Sequence, residues 1–207
     1  MTDPLRVIGD AFDARVPHYD ENVMHRSVAS AVAEFADLDG VTRVLDIATG
    51  TGLVLRALSR RASRLALIGV DISSGMLDVA RAELPEAEWI ESDAARIPFG
   101  DSSVDLVTCV TALHIIPDVA RAAAEWSRVL RPGGNLVTAT FSGVVPGTPD
   151  RPHGSSEAPY PREHAPYADP AALAESFRPF GFRVVRHREW TDGTDTVLIA
   201  ELRLAPL

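Results

Sequence analysis

Val44-Leu45-Asp46-Ile47-Ala48-Thr49-Gly50-Thr51-Gly52 decides the fold class. A short apolar run breaks off at a glycine turn, and Leu53 to Ala62 then follows with helical spacing. Strand, glycine turn and helix in that order open a βαβ unit. Gly50 and Gly52 let the backbone come close to a ligand. The helix start offers unpaired N–H groups to an anion such as a carboxylate. The turn alone leaves the ligand open. A dinucleotide fingerprint needs a third glycine, and Leu55 stands at that position. A Walker loop needs a lysine, and the chain has none.

The same alternation continues downstream. Leu65 to Val70 reads as a second strand stopped by Asp71, and Ser73 or Ser74 caps a helix over Met76, Leu77, Val79 and Ala80. Glu88 to Glu91 and Val104 to Val110 read as third and fourth strands. Asp118 opens a helix that Arg131-Pro132-Gly133-Gly134 closes, and Asn135 to Phe141 is a fifth strand. Near-continuous apolar strands joined by helices imply a parallel sheet covered on both faces. Such sheets bind ligands beyond the carboxyl ends of their strands. The positions that matter are therefore 46–52, 71–72, 92–94 and 110–114.

Asp71 follows the glycines by about twenty residues, where a carboxylate can accept from both hydroxyls of a ribose. Asp93, in Ser92-Asp93-Ala94, is either a turn former or an acceptor for an exocyclic amine such as that of adenine. The ligand therefore contains a nucleoside.

Here the chain resembles a known family. VLDIATGTG (44–52), LALIGVDISSGMLDVAR (65–81), ESDAARIPF (91–99), DLVTCVTALHIIPD (105–118) and LRPGGNLV (130–137) resemble the class I S-adenosylmethionine (SAM) dependent methyltransferases. The likeness is to the small-molecule and ubiquinone/menaquinone-biosynthesis type. It implies a Rossmann-like α/β three-layer sandwich. Its seven-stranded, mostly parallel sheet ends in an antiparallel last strand, with helices on both faces. It implies SAM as cofactor and S-adenosylhomocysteine (SAH) as product. By resemblance, Asp46, Ala48, Thr49, Gly50 and Gly52 lie at the methionine part, with Asp46 near its amino group. Asp71 holds the ribose, Ile72 packs on the adenine, Asp93 and Ala94 hold the adenine edge, and Met76 and Thr111 complete the cofactor set. Ala48 departs from the glycine that the family often has there. His114 falls in the segment facing the methyl group and is the candidate base, or else a buried structural residue. Tyr19 closes over the cofactor or simply packs.

The remaining chain supplies the acceptor side. Residues 4–14 and 22–37 read as two helices around Pro17-His18-Tyr19. The whole chain reads as one domain: a helical cap over 1–40, a cofactor core over 41–141, a lid or substrate loop over 142–168, and a helix with a hairpin over 169–207. The loop holds six prolines, and long loops of this kind are lids, binding loops or disordered. His18 of the cap and His153, Tyr160 and His164 of the loop are the candidate substrate contacts. Asp169-Pro170 starts a helix, Gly181 ends it, and Asp192-Gly193 joins two strands over 182–190 and 194–204.

Composition narrows the partners. The 207 residues carry a net charge of −9, and every basic residue is Arg. Arg56, Arg60, Arg61 and Arg64 suit a helix end and not a phosphate backbone, so no nucleic-acid partner is expected. The single cysteine, Cys109, excludes a disulfide framework within the chain, and no metal site is expected. No secretory signal or membrane span is read, so the expected place is the cytoplasm, as monomer or homodimer. Arg without Lys and abundant Ala suggest a GC-rich bacterial genome. The expected reaction is methyl transfer to a small-molecule acceptor at O, N or C, in specialised or cofactor metabolism. The alternatives are a SAM-fold protein running a non-methylating reaction, or a non-catalytic SAM/SAH binder.

Overall fold

The computed structural model describes residues 3–142 and 158–206. Its strands are β1 (Arg43–Ile47), β2 (Ala66–Asp71), β3 (Glu88–Glu91), β4 (Val104–Val110), β5 (Leu130–Phe141), β6 (Phe182–Thr191) and β7 (Thr196–Leu204). They form one sheet in the order β3-β2-β1-β4-β5-β7-β6. The pairs from β3 to β5 are parallel, and β7 runs antiparallel to both β5 and β6. The strand order reverses direction after β1, whose neighbours are β2 and β4, and that is where such a sheet opens a ligand crevice.

Alternate residues along the strands feed two cores. Val44, Leu106, Val137 and Ile199 face α3 (Val23–Phe35) and α4 (Leu53–Arg61). Leu45, Val107, Leu136 and Leu198 face α6 (Val119–Val129) and α7 (Pro170–Phe177), where the fully buried Trp126 and Phe177 stack. The remaining helices are α1 (Pro4–Asp13), α2 (Val16–Tyr19) and α5 (Ser74–Glu83).

Local chemistry sets the helix starts. Ser73, Asp118 and Asp169 each accept from backbone N–H groups of the first turn with a side-chain oxygen. Two details differ from the sequence reading. Arg131 to Gly134 are not a turn closing α6; they belong to β5, whose first residue already pairs with Val104. Pro17-His18-Tyr19 is not a bare linker, because Pro17 sits in the first turn of the short α2, where its missing N–H costs nothing.

The arginines act between elements. Arg61 donates to the carbonyls of Ala33 and Ala36, Arg186 to that of Phe35, and Arg188 to that of Ala31. Three guanidinium groups thus gather on carbonyls of the last turns of α3 and its C-cap. Arg186 also pairs with Glu201, which is 2% exposed, through contacts of 3.0 and 2.6 Å.

Candidate functional site

A cleft enclosing about 640 Å³ of empty space, its open mouth included, lies at the carboxyl ends of β1, β2 and β4. Ala48 and Gly50 form one side, Asp71 and Ile72 the next, and Ser92, Asp93 and Ala94 the third. Thr111, Ala112, Ile115 and Ile116 close the fourth. The cap folds over the top with Leu5, Ile8, Phe12 and Tyr19.

The glycine turn is held from several directions. The Thr49 N–H donates to the Val70 carbonyl at 3.1 Å, and the Thr49 hydroxyl donates to Asp46 at 2.6 Å. Asp71 accepts from the Gly50 N–H at 2.8 Å and from the Ser73 N–H at 2.9 Å, so one carboxylate ties the turn to the start of α5. Burial raises the pKa of Asp71 above the usual carboxylate range, opposed by its backbone hydrogen bonds. Asp93 accepts from the Ala95 N–H at 3.0 Å.

Asp46 is 1% exposed and stands behind the turn, accepting from the hydroxyls of Thr49 and Thr108, each at 2.6 Å. Burial pushes its pKa up to about 7 against those two hydrogen bonds. A raised pKa means that the folded chain holds a proton which the unfolded chain releases. Asp46 therefore contributes stability below its ordinary value of 3.8 and loses it as pH rises through about 7. Asp46→Asn should flatten that part of the pH dependence. Urea unfolding of both proteins between pH 5 and 8 measures it, and parallel curves would refute the assignment.

Two strand ends carry strained backbone. Ala48 has φ of 51° and Thr111 has φ of 53°, and both line the cleft. The left-handed conformation is costly for any residue with a Cβ and most unusual for a β-branched one. Ala48→Gly should stabilise the fold by about 0.5–1 kcal/mol, the relief of strain exceeding the entropy cost of glycine. A lower urea midpoint in that variant would contradict the strain reading.

The cap is pinned at two helix starts. Asp13 accepts from the Ser73 hydroxyl at 2.5 Å and the Gly75 N–H at 3.0 Å. Asp20 accepts from the Thr51 hydroxyl at 2.5 Å and from Arg56 at 2.7 Å. Tyr19 lies over Gly50 and stacks on His25, with ring centroids 4.6 Å apart.

The structure thus brings Ala48, Gly50, Asp71, Ile72, Asp93, Ala94, Thr111 and Tyr19 to one cleft. It does not bring all the expected residues there. Thr49, Gly52 and Met76 pack behind the lining, and Met76 is fully buried. His18 is exposed and pairs with Glu21. His114 stacks on His164 at 4.4 Å and meets Phe141 edge-on at 5.5 Å, beside the cleft. Tyr160 is buried and stacks on Phe12 of the cap at 6.2 Å. His153 lies outside the described residues. Sequence reasoning missed Leu5, Ile8 and Phe12; the apolar face of α1 was their only signal.

The lining has two carboxylates and no basic residue among the described residues. That charge disfavours a phosphate-bearing dinucleotide and suits a cationic nucleoside ligand. The sequence comparison decides the family. A model described as a methyltransferase domain matches residues 45–138. A demethylmenaquinone methyltransferase from Deinococcus radiodurans is 31% identical over 229 residues, covering 97% of this chain and 95% of the relative. This chain belongs to the class I SAM-dependent methyltransferases. A demethylmenaquinone methyltransferase from Thermotoga maritima is 43% identical over 95 residues, which are 46% of this chain and 42% of that one. The methyltransferase shares its fold with the enzyme bound to the Trm112 activator of Haloferax volcanii. That match has a TM-score of 0.78 at 22% identity and covers 96% of this chain and 98% of the other. Magnesium protoporphyrin IX methyltransferase from Synechocystis PCC 6803, solved with bound SAM, matches with a TM-score of 0.71 at 18% identity, over 99% of each chain. The family's cofactor is SAM, and the acidic, phosphate-averse cleft fits it. No helix among the described residues is long and apolar enough to cross a membrane.

Proposed function

We propose that this methyltransferase methylates a small-molecule acceptor in the cytoplasm of a bacterium, bound beside His114 under the cap. The observation that carries this reading is the largely apolar cleft roofed by Leu5, Ile8 and Phe12. A macromolecular acceptor needs an open approach and, for nucleic acid, basic surface; the net charge is −9. The names of the demethylmenaquinone methyltransferases support an acceptor ring of quinone type.

Bound SAM supplies an electrophilic methyl group on a sulfonium. The chain's own work is alignment, which can supply about 7–11 kcal/mol of the barrier. Asp71 orients the ribose, and Asp93 and Ala94 fix the adenine edge. Gly50 and Thr111 flank the methionine part. Tyr19, Phe12 and Ile8 exclude water from above. The His114 imidazole takes the acceptor proton when the acceptor must lose one.

The test is transfer of labelled methyl from SAM in extract supplemented with hydroxylated quinols and phenols. Label in the small-molecule fraction supports the reading, and label confined to protein or RNA overturns it. His114→Ala should keep SAM affinity while slowing turnover about 100-fold. Unchanged turnover across pH would remove His114 from the proton transfer.

A further inference from the structure

Trp89 sits behind the glycine turn and does not line the cleft. Its backbone pairs with Gly69 on β2, and its indole N–H donates to the Leu84 carbonyl at 3.0 Å. Those two anchors fix where the six-membered ring lies. A methyl group built on Gly69 would stand 2.4 Å from that ring, and one on Gly52 would stand 2.5 Å from it. Real Cβ atoms do not approach so closely, so the ring occupies the space that two side chains would otherwise fill. Gly50 differs. A methyl there would meet the Tyr19 ring at 3.7 Å, an ordinary contact. Both glycines of the turn have positive φ, 56° and 78°, but their open sides meet different neighbours. Gly50 faces the ligand side, whereas Gly52 makes room for Trp89.

We infer that Trp89 is a positioning residue for the cofactor: its indole sets the depth of the 48–52 turn and so the grip on the amino-acid end of SAM. The inference rests on assigning that turn to the methionine part. The turn has partners on its other sides: the Val70 carbonyl, Asp46 and Asp71. Those hydrogen bonds fix its direction, and the indole supplies the wall against which it stops. Shortening the wall lets Gly52 and Thr49 settle toward β2, which draws the Gly50 edge away from the ligand. Asp93, Ala94 and Ile72 of the adenine side line the cleft itself, which Trp89 does not. The loss should therefore fall on ligands that carry the amino-acid part.

The experiment measures dissociation constants of SAM, SAH and 5′-methylthioadenosine, which lacks the amino-acid part, for the full chain and its variants. Trp89→Leu should weaken SAM and SAH by about tenfold and methylthioadenosine by less than about threefold. Trp89→Phe, which keeps a ring against both glycines, should restore most of the SAM affinity. Gly69→Ala makes the same test from the opposite side, whether or not Trp89→Leu folds. Its methyl presses on the Trp89 ring and on the Thr49 methyl, 2.9 Å from the same point, so it should weaken SAM and spare methylthioadenosine. A folded Trp89→Leu protein that binds SAM like the parent overturns the inference. Equal losses for SAM and methylthioadenosine overturn it too, since they mean general loosening. A parent chain that binds neither SAM nor SAH would instead refute the cofactor site itself.

Discussion

Arg186→Met is expected to lower the unfolding free energy by about 3 kcal/mol, the low end of the cost of breaking a buried pair, because a second arginine stays near the carboxylate. The effect comes from the asymmetry of the pair. The Arg186 side chain is 43% exposed, whereas that of Glu201 is 2% exposed on β7, between β5 and β6. Without the guanidinium, the Glu201 carboxylate keeps, among the described residues, the more distant Arg203 at 3.9 Å. The same change strips the Phe35 carbonyl of its donor and its ring of the cation stacked 4.1 Å above it. For a chain of this length the melting temperature should fall by roughly 10 °C. Glu201→Gln should cost less, because Arg186 can turn to water. Urea unfolding of both variants checks the order; a more damaging Glu201→Gln would contradict the argument.

Asp71→Ala is the larger functional prediction. It should weaken SAM binding by roughly 10- to 100-fold, the range for hydrogen bonds made by a charged group. Two losses combine. The carboxylate would no longer meet the ribose hydroxyls, and the N–H groups of Gly50 and Ser73 would lose their common acceptor. Removing Arg81, which pairs with Asp78 on the exposed face of α5, should leave affinity unchanged. Equal affinity for SAM in Asp71→Ala and the parent would refute the ribose assignment.

Much of the scaffold was legible because its signals are local. Val44 to Ile47 and Val104 to Val110 are mostly apolar, interrupted by Asp46, Asp105 and Thr108, as suits strands covered on both faces, and Asp169 announces its helix one residue before Pro170. The antiparallel β7 followed from the family resemblance and from Asp192-Gly193, where the chain turns back. What was not legible depends on distant partners. The start of β5 is decided by Val104 on another strand, so Pro132 and Gly133 misled a local reading. Ala48 and Thr111 adopt the left-handed conformation only because the strand ends around the cleft force it; nothing in an alanine or a threonine advertises that. Asp13 and Asp20 carry no local signal of their role, since the groups they bind, at the starts of α5 and α4, lie far off in the chain. Trp89 packs against the back of the glycine turn, a contact with Gly52 that its place on β3 does not announce.

Calorimetric titration of the purified chain with SAM and, separately, with SAH tests the central claim most directly. The account predicts micromolar binding of both, one ligand per chain. Absence of heat with either ligand, from a chain that unfolds cooperatively, would contradict it: the cleft beneath the cap would then not be a SAM site.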